Sequence, residues 1–153
     1  MTRPSSPTGV YLDSCILIDY LQRSPTSEVA RAMQLVDAGS LPAYISTAHY
    51  VEVLGDSQAA TFSADQEDRV LTLLRHPRLT MVEVSRFLML RAREYRIHRR
   101  LKALDAIHLA AAVETDANVL WTYDKTLLSQ DYVDGVWITE PYEPGTDTPI
   151  NGL

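Results

Sequence analysis

Short apolar runs suited to buried strands alternate along this chain with longer stretches of helical period. Residues 10–13 read as a first strand, and residues 15–21 as a helix that follows at once. Ser24 and Pro25 supply a cap and a first-turn proline, after which Val29, Ala32, Met33 and Val36 recur at helical spacing until Gly39. Residues 43–46 are predicted to form a second strand, and Ser46 or Thr47 to cap a helix running through Leu54. Ser63 with Gln66 predicts a capping box for a helix to about Arg75. Residues 79–84 read as a third strand, with Ser85 opening another helix. Ala106, Leu109, Ala110 and Val113 recur as the buried stripe of a helix before the apolar runs 119–121 and 136–138, the last two strands.

Strands alternating with helices predict an α/β protein with a mostly parallel sheet covered on both faces. Ligands of such sheets bind beyond the carboxyl ends of the strands, near the point where strand order reverses. Asp13 ends the first strand and Asp124 follows the fourth, so parallel pairing puts both at one edge. Glu52 lies in the helix after the second strand, and Asp105 near the start of the Ala-rich helix that leads into the fourth. Helices returning from a parallel sheet begin at that same edge. Carboxylates crowded together raise one another's pKa, and a hard divalent cation such as Mg²⁺ relieves the repulsion. Such an ion activates a water and polarises a phosphoryl group. Taken singly, each acid has a plainer reading as a helix cap or a solvated surface charge, and only their joint placement favours a site.

At 153 residues and 46% apolar content the chain has room for one domain with a hydrophobic core. That domain is expected to occupy 1–153, with a folded part of about 10–142 and frayed segments at 1–8 and 144–153. No apolar run reaches the length of a membrane span and no secretory leader is evident. The single cysteine, Cys15, fits a reducing cytoplasm. A net charge of -6 argues against coating nucleic acid by bulk positive charge, yet seven of the 14 Lys and Arg residues fall between 86 and 102. This basic stripe reads equally as a solvated helix face or as a set of phosphate contacts, with Arg96, Arg99 and Arg100 the named candidates for RNA.

Other residues attract blander readings. Asp116 suits a helix-ending acid, Asp19 a surface charge or one that supports the site from behind, and Cys15 a small buried filler. His108, one turn after Asp105, reads mainly as a packed, hydrogen-bonded histidine, with ligand orientation or substrate contact as the alternative. Ile16, Leu17, Tyr20 and Leu21 form an apolar surface that serves as core or, less simply, as a dimer face that would align two acidic hollows.

Four blocks of this sequence resemble PIN-domain nucleases, in order and across nearly the whole folded region. They are Val10-Tyr11-Leu12-Asp13-Ser14-Cys15 with Leu17-Ile18-Asp19-Tyr20-Leu21; Ile45-Ser46-Thr47 with Glu52-Val53-Leu54; Asp105-Ala106-Ile107-His108-Leu109-Ala110-Ala111-Ala112; and Val119-Leu120-Trp121-Thr122-Tyr123-Asp124. Cys15 replaces a more usual polar residue, and Leu127 stands where an aromatic often follows. The resemblance implies a three-layer α/β/α fold and Mg²⁺- or Mn²⁺-dependent phosphodiester hydrolysis. It makes Asp13, Glu52, Asp105 and Asp124 metal-site acids, with Ser14 and Thr122 as polar helpers. Chains of this size most resemble VapC-type toxins, which implies an RNA substrate, a small antitoxin partner and a homodimer. Two other readings stand beside it: a non-catalytic docking module, and a phosphatase with an aspartyl nucleophile, which would usually want a second Asp at the position of Cys15.

Overall fold

The computed structural model describes residues 2–22, 24–54 and 63–145. Six strands, β1 (Val10–Leu12), β2 (Ala43–Ser46), β3 (Leu79–Val82), β4 (Val119–Trp121), β5 (Tyr132–Val133) and β6 (Val136–Thr139), form one sheet in the order β3-β2-β1-β4-β6-β5. Every pairing is parallel except that of β5 with β6. β1 is therefore flanked by β2, next in sequence, and by β4, far along the chain. The strand order reverses between β1 and β4, which sets the crevice of the sheet beyond Leu12 and Trp121.

Seven helices complete the described chain: α1 (Ser14–Leu21), α2 (Ser27–Asp37), α3 (His49–Glu52), α4 (Ala64–Leu74), α5 (Arg86–Arg99), α6 (Ala103–Val113) and α7 (Lys125–Leu128). Alternate residues of β1 divide between two cores. Val10 and Leu12 join Ile16, Val29, Met33, Val70 and Leu74 on one face, while Tyr11 joins Leu88, Tyr95, Leu109 and Leu120 on the other. The result is the three-layer α/β/α arrangement that the alternating pattern requires.

α6 sits directly on the sheet because its alanines permit close approach: Ala106, Ala110, Ala111 and Ala112 are all fully buried. α5 packs against it through Leu88, Ala92 and Tyr95. The capping box of Ser63 and Gln66 is present at α4, and Ser85 caps α5 by accepting from Leu88 N at 3.1 Å.

The structure departs from the expected elements in four places. The N-cap of α2 is Thr26, two residues after Ser24, because Asp19 accepts from Thr26 N and its hydroxyl and fixes that turn. α3 is a single turn that begins at His49 and stops before Leu54, since Val53 is already extended at φ -91°, ψ 94°. β3 ends at Val82, where Val84 N turns to donate to Thr47 Oγ1. β5 and α7 were not foreseen; β5 and β6 are joined by Asp134 (φ 47°) and Gly135 (φ 91°), the left-handed pair of a two-residue hairpin turn.

The segments expected to fray make bonds where they are described: Tyr142 donates to Pro4 O at 2.6 Å and Gly145 N to Ser5 O at 2.8 Å. The tail from 146 onward lies outside the described residues. Among the described residues, no helix is long and apolar enough to cross a membrane.

Candidate active site

Asp13 is fixed by the end of β1, where its N–H donates to Trp121 O of the neighbouring β4 at 3.0 Å. The residue is 4% exposed and both of its carboxylate oxygens are hydrogen-bonded. Oδ1 accepts from Ser14 N at 2.8 Å, capping α1, and Oδ2 accepts from the Thr122 hydroxyl at 2.6 Å. Thr122 also accepts from Asp124 N at 3.0 Å, so one buried hydroxyl links the acid after β1 to the acid after β4. Asp124 in turn caps α7, accepting from Leu127 N at 2.9 Å. The cap reading and the site reading of Asp13 and Asp124 are thus compatible. Each acid spends one oxygen on a helix N-terminus and keeps lone pairs for other partners.

Glu52 reaches the same place from α3. Its Oε2 accepts from Ser14 Oγ at 3.0 Å, and its Oε1 is hydrogen-bonded to His108 Nε2. His108 lies one turn beyond Asp105 on α6, is fully buried, and places Nε2 3.7 Å from Asp13 Oδ1 as well. Its Nδ1 sits 2.7 Å from the Tyr11 hydroxyl, which is 2.9 Å from Ser46 Oγ. Burial works against a charged imidazole here, but the Glu52 bond and the charges of Asp13 and Glu52 outweigh it and raise the His108 pKa. The same pair lowers that of Glu52: burial pushes upward, and the His108 bond and charge with the Ser14 bond push harder the other way.

A second buried histidine stands beside the first, with ring centroids 4.7 Å apart. His49 Nε2 meets Leu12 O at 2.6 Å, and its Nδ1 accepts from Ser46 N at 3.1 Å. That geometry describes a neutral ring donating from Nε2. Burial first, and then the charge of His108, hold its pKa down at about 3. His49 therefore ties the ends of β1 and β2 together, and His108 is the histidine whose charged form the neighbouring carboxylates favour.

Asp105, half-buried near the start of α6, shows what remains unbalanced. Burial, then the charges of Asp124 and Asp13 with a smaller share from Glu52, push its pKa up to about 6, against the opposing pull of His108. The other three acids expected from the sequence thus each act on Asp105, and His108 offsets them only in part. An all-oxygen donor set with surplus negative charge suits a hard divalent cation. Among the described residues, no group of three or more His, Cys, Asp or Glu side chains stands ready as a metal cage. The fit is to an ion held by one or two carboxylates and completed by water, and Glu52, with both oxygens already engaged, is less free to ligate than the sequence suggested.

Sequence reasoning set His108 aside as a packed histidine. It is packed and hydrogen-bonded, and it is also the hinge of the acidic cluster. Tyr11 and His49 were missed altogether, although a tyrosine inside an otherwise aliphatic strand is a usable signal. Cys15 Sγ lies 3.5 Å from Asp13 Oδ2, and burial followed by that neighbouring charge raises its thiol to about 12, which leaves it unreactive. Asp19 holds Thr26 and the Tyr123 hydroxyl at the surface, and Asp116 offers its backbone carbonyl to Thr8. In the basic stripe Arg91 pairs with Glu114 at 2.9 Å, and Arg99 donates to Gln130 at 3.4 Å.

The mostly parallel sheet, with acids beyond the ends of β1 and β4, defines an α/β protein whose candidate site lies at the switch point of the strand order. The profile of the PIN domain family matches residues 10–131, and this chain belongs to that family. PIN domains are in general nucleases. Among solved structures, a toxin-antitoxin complex from Klebsiella pneumoniae is similar at 25% identity and TM-score 0.63, over 88% of this chain and 99% of that one. The Mycobacterium tuberculosis toxin VapC20, described as cleaving the sarcin-ricin loop, shares the fold at 13% identity and TM-score 0.63, over 82% of this chain and 98% of the other. FitAcB from Neisseria gonorrhoeae shares it at 15% identity and TM-score 0.60, covering 86% and 97%. Among curated proteins none matches.

Proposed function

We propose that this chain is a cytoplasmic, single-domain, Mg²⁺- or Mn²⁺-dependent endoribonuclease, the toxin of a VapBC-type pair, silenced by a small antitoxin and acting as a homodimer. The observation that carries the reading is the link of Asp13 to Asp124 through the Thr122 hydroxyl at the switch point of a PIN fold, with Glu52 bonded to the adjoining Ser14 and the charges of all three acids acting on Asp105. The likeness to a solved toxin-antitoxin complex supports the biological role.

In this reading one or two of Asp13, Asp105 and Asp124 would ligate the ion directly and the rest would reach it through water. When bound, it would polarise the scissile phosphoryl group and acidify a water. Thr122 orients Asp13 by donating to Oδ2, and it fixes the backbone of Asp124, so the two acids keep one spacing. Ser14 and His108 hold the Glu52 carboxylate from both sides, where it would orient the water that the ion activates. Arg99 and Arg100 are the proposed phosphate contacts; only Lys102 and Leu101 separate them from the helix that bears Asp105. Arg96, the third proposed contact, is exposed about one turn before Arg99 on α5.

Cleavage of an RNA panel by the purified chain, with Mg²⁺ and with excess EDTA, tests the activity. Products with 5′-phosphate and 3′-hydroxyl ends are expected. Cleavage undiminished by EDTA would remove the metal from the reading. Trapping a phosphoenzyme would favour the aspartyl phosphatase, and metal binding without turnover would favour the docking module.

A further inference from the structure

Tyr123 is clamped at both ends beside the acidic hollow. Its backbone N–H donates to Cys15 Sγ at 3.4 Å, and that sulfur lies 3.5 Å from Asp13 Oδ2. Its hydroxyl donates to Asp19 Oδ2 at 2.7 Å and lies 3.3 Å from Thr26 Oγ1. Cys15 and Asp19 are one turn apart on the same face of α1, about 6 Å along its axis. The side chain therefore runs lengthwise along that face, starting at the rim of the hollow. Even so, Tyr123 is 37% exposed, and among the described residues no other ring lies against its own. Tyr20 and Tyr50 are exposed to a similar degree, but among the described residues their hydroxyls have no partner. Of the three rings, Tyr123 is the one held in a fixed place.

We propose that the exposed face of Tyr123 is the floor of a nucleobase subsite, on which an unpaired base beside the scissile phosphate stacks. The inference rests on the ribonuclease reading of the neighbouring hollow and deepens it by naming what the strand must offer there. An aromatic ring fixed at both ends loses little freedom when a flat ligand lands on it, which makes it a preformed platform. Every base has a π-face, so such stacking needs no particular sequence. It needs only a base that a duplex does not already cover on both faces. Tyr123 and Asp124 are neighbours in the chain, so a base on the ring belongs to a nucleotide adjoining the phosphate held at the acids. Lys125, exposed one residue beyond Asp124, provides a cation for the phosphate that joins the two. Closing the turn between α1 and α2 uses the Tyr123 hydroxyl alone, and the open face of the ring takes no part in it.

The test is fluorescence titration of the Asp13→Asn chain, chosen to keep the RNA intact, with an oligouridine of about eight nucleotides that carries one fluorescent aminopurine at successive positions. Quenching by stacking is expected at one position. Adding Tyr123→Leu should abolish that quenching and raise Kd by between about fivefold and about 150-fold, whereas adding Tyr123→Phe should preserve both. A strand that is abasic at the same position should bind equally well with and without Tyr123→Leu, and a duplex of the same length should show no quenching. Circular dichroism checks that the variants fold. Quenching that survives Tyr123→Leu overturns the inference, as does an RNA that does not bind. A loss of affinity as large for the abasic strand as for the intact one overturns it too, by making Tyr123 a packing residue. So does a Tyr123→Phe chain as weak as the Tyr123→Leu chain, by giving the contact to the hydroxyl. The two readings fail separately. Cleavage by the parent chain without any dependence of binding on Tyr123 removes only the subsite, and Tyr123-dependent quenching without cleavage by the parent chain removes only the nuclease.

Discussion

The imidazole of His108 on α6 is hydrogen-bonded to the carboxylate of Glu52 on α3, and its other nitrogen rests against the hydroxyl of Tyr11 in the middle of the sheet. Removing one partner of such a pair leaves the other buried without compensation. His108→Gln is therefore expected to lower unfolding free energy by about 3 kcal/mol in urea titration. Adding Glu52→Gln should return part of that loss, because the stranded charge goes with it. Strictly additive losses would mean that the two side chains do not interact.

The pair also sets a pH dependence. His108 has a raised folded-state pKa, so its contribution is complete below the unfolded value of about 6.5 and fades as pH rises through the higher folded value. Glu52 is lowered, so its contribution is present above about 4.5 and is lost as pH falls through the lower folded value. The stabilisation from this pair should therefore peak between those limits. Urea midpoints of the parent and of the doubly substituted chain, compared from pH 4 to pH 9, should differ most between about 4.5 and about 6.5.

Asp105 has the opposite economy. Its carboxyl titrates near 6 in the fold against 3.8 ordinarily, so its ionisation costs stability as pH rises through that interval, and the cost is complete above it. Asp105→Asn is expected to raise the metal-free Tm at pH 7.5 while abolishing cleavage. The gain should shrink as pH is lowered through about 6 towards 4. Mg²⁺ should raise the Tm of the parent chain and leave the variant nearly unmoved. A variant destabilised at every pH would show that Asp105 is not under repulsion.

Thr122 gives a test of geometry rather than charge. Thr122→Val keeps the shape and removes both the bond donated to Asp13 and the one accepted from Asp124 N. A loss of about 1–3 kcal/mol is expected, with kcat falling more than KM rises. Thr122→Ser should restore both, and equal damage by Ser and Val would point to packing alone.

Neutralising Arg96, Arg99 and Arg100 together should weaken RNA binding and flatten its dependence on salt. Three lost phosphate contacts to a single strand would reduce the log–log slope by about 2. An unchanged slope removes these arginines from substrate binding.

Much of this was legible in the sequence because local rules and the fold agree. The 43–46 strand, the Ser63–Gln66 box and the alanine stripe of α6 each follow from a short-range pattern that tertiary packing then uses. Where the two diverge, the cause is a contact between distant residues. α3 is one turn long because His49 is drawn into the core to bond Leu12 O, a demand that no propensity of residues 46–54 reveals. α2 has its N-cap at Thr26 because Asp19 reaches it from the preceding helix. The β5–β6 hairpin was a missed signal of another kind, since Asp134-Gly135 between apolar runs is a turn that can be read directly. At the candidate site, the four acids could be proposed from their positions at strand and helix ends. The Tyr11–His108–Glu52 connection could not, because it depends on which faces of β1 and α6 meet.

The central claim is that one acidic hollow built around Asp13 cleaves RNA with a divalent ion. The most direct measurement is the single-turnover cleavage rate of the parent chain and of Asp13→Asn in Mg²⁺, with folding of the variant verified by its near-ultraviolet spectrum. The account expects a folded variant whose rate falls at least about a thousandfold. A folded Asp13→Asn chain that cuts RNA as fast as the parent would contradict it.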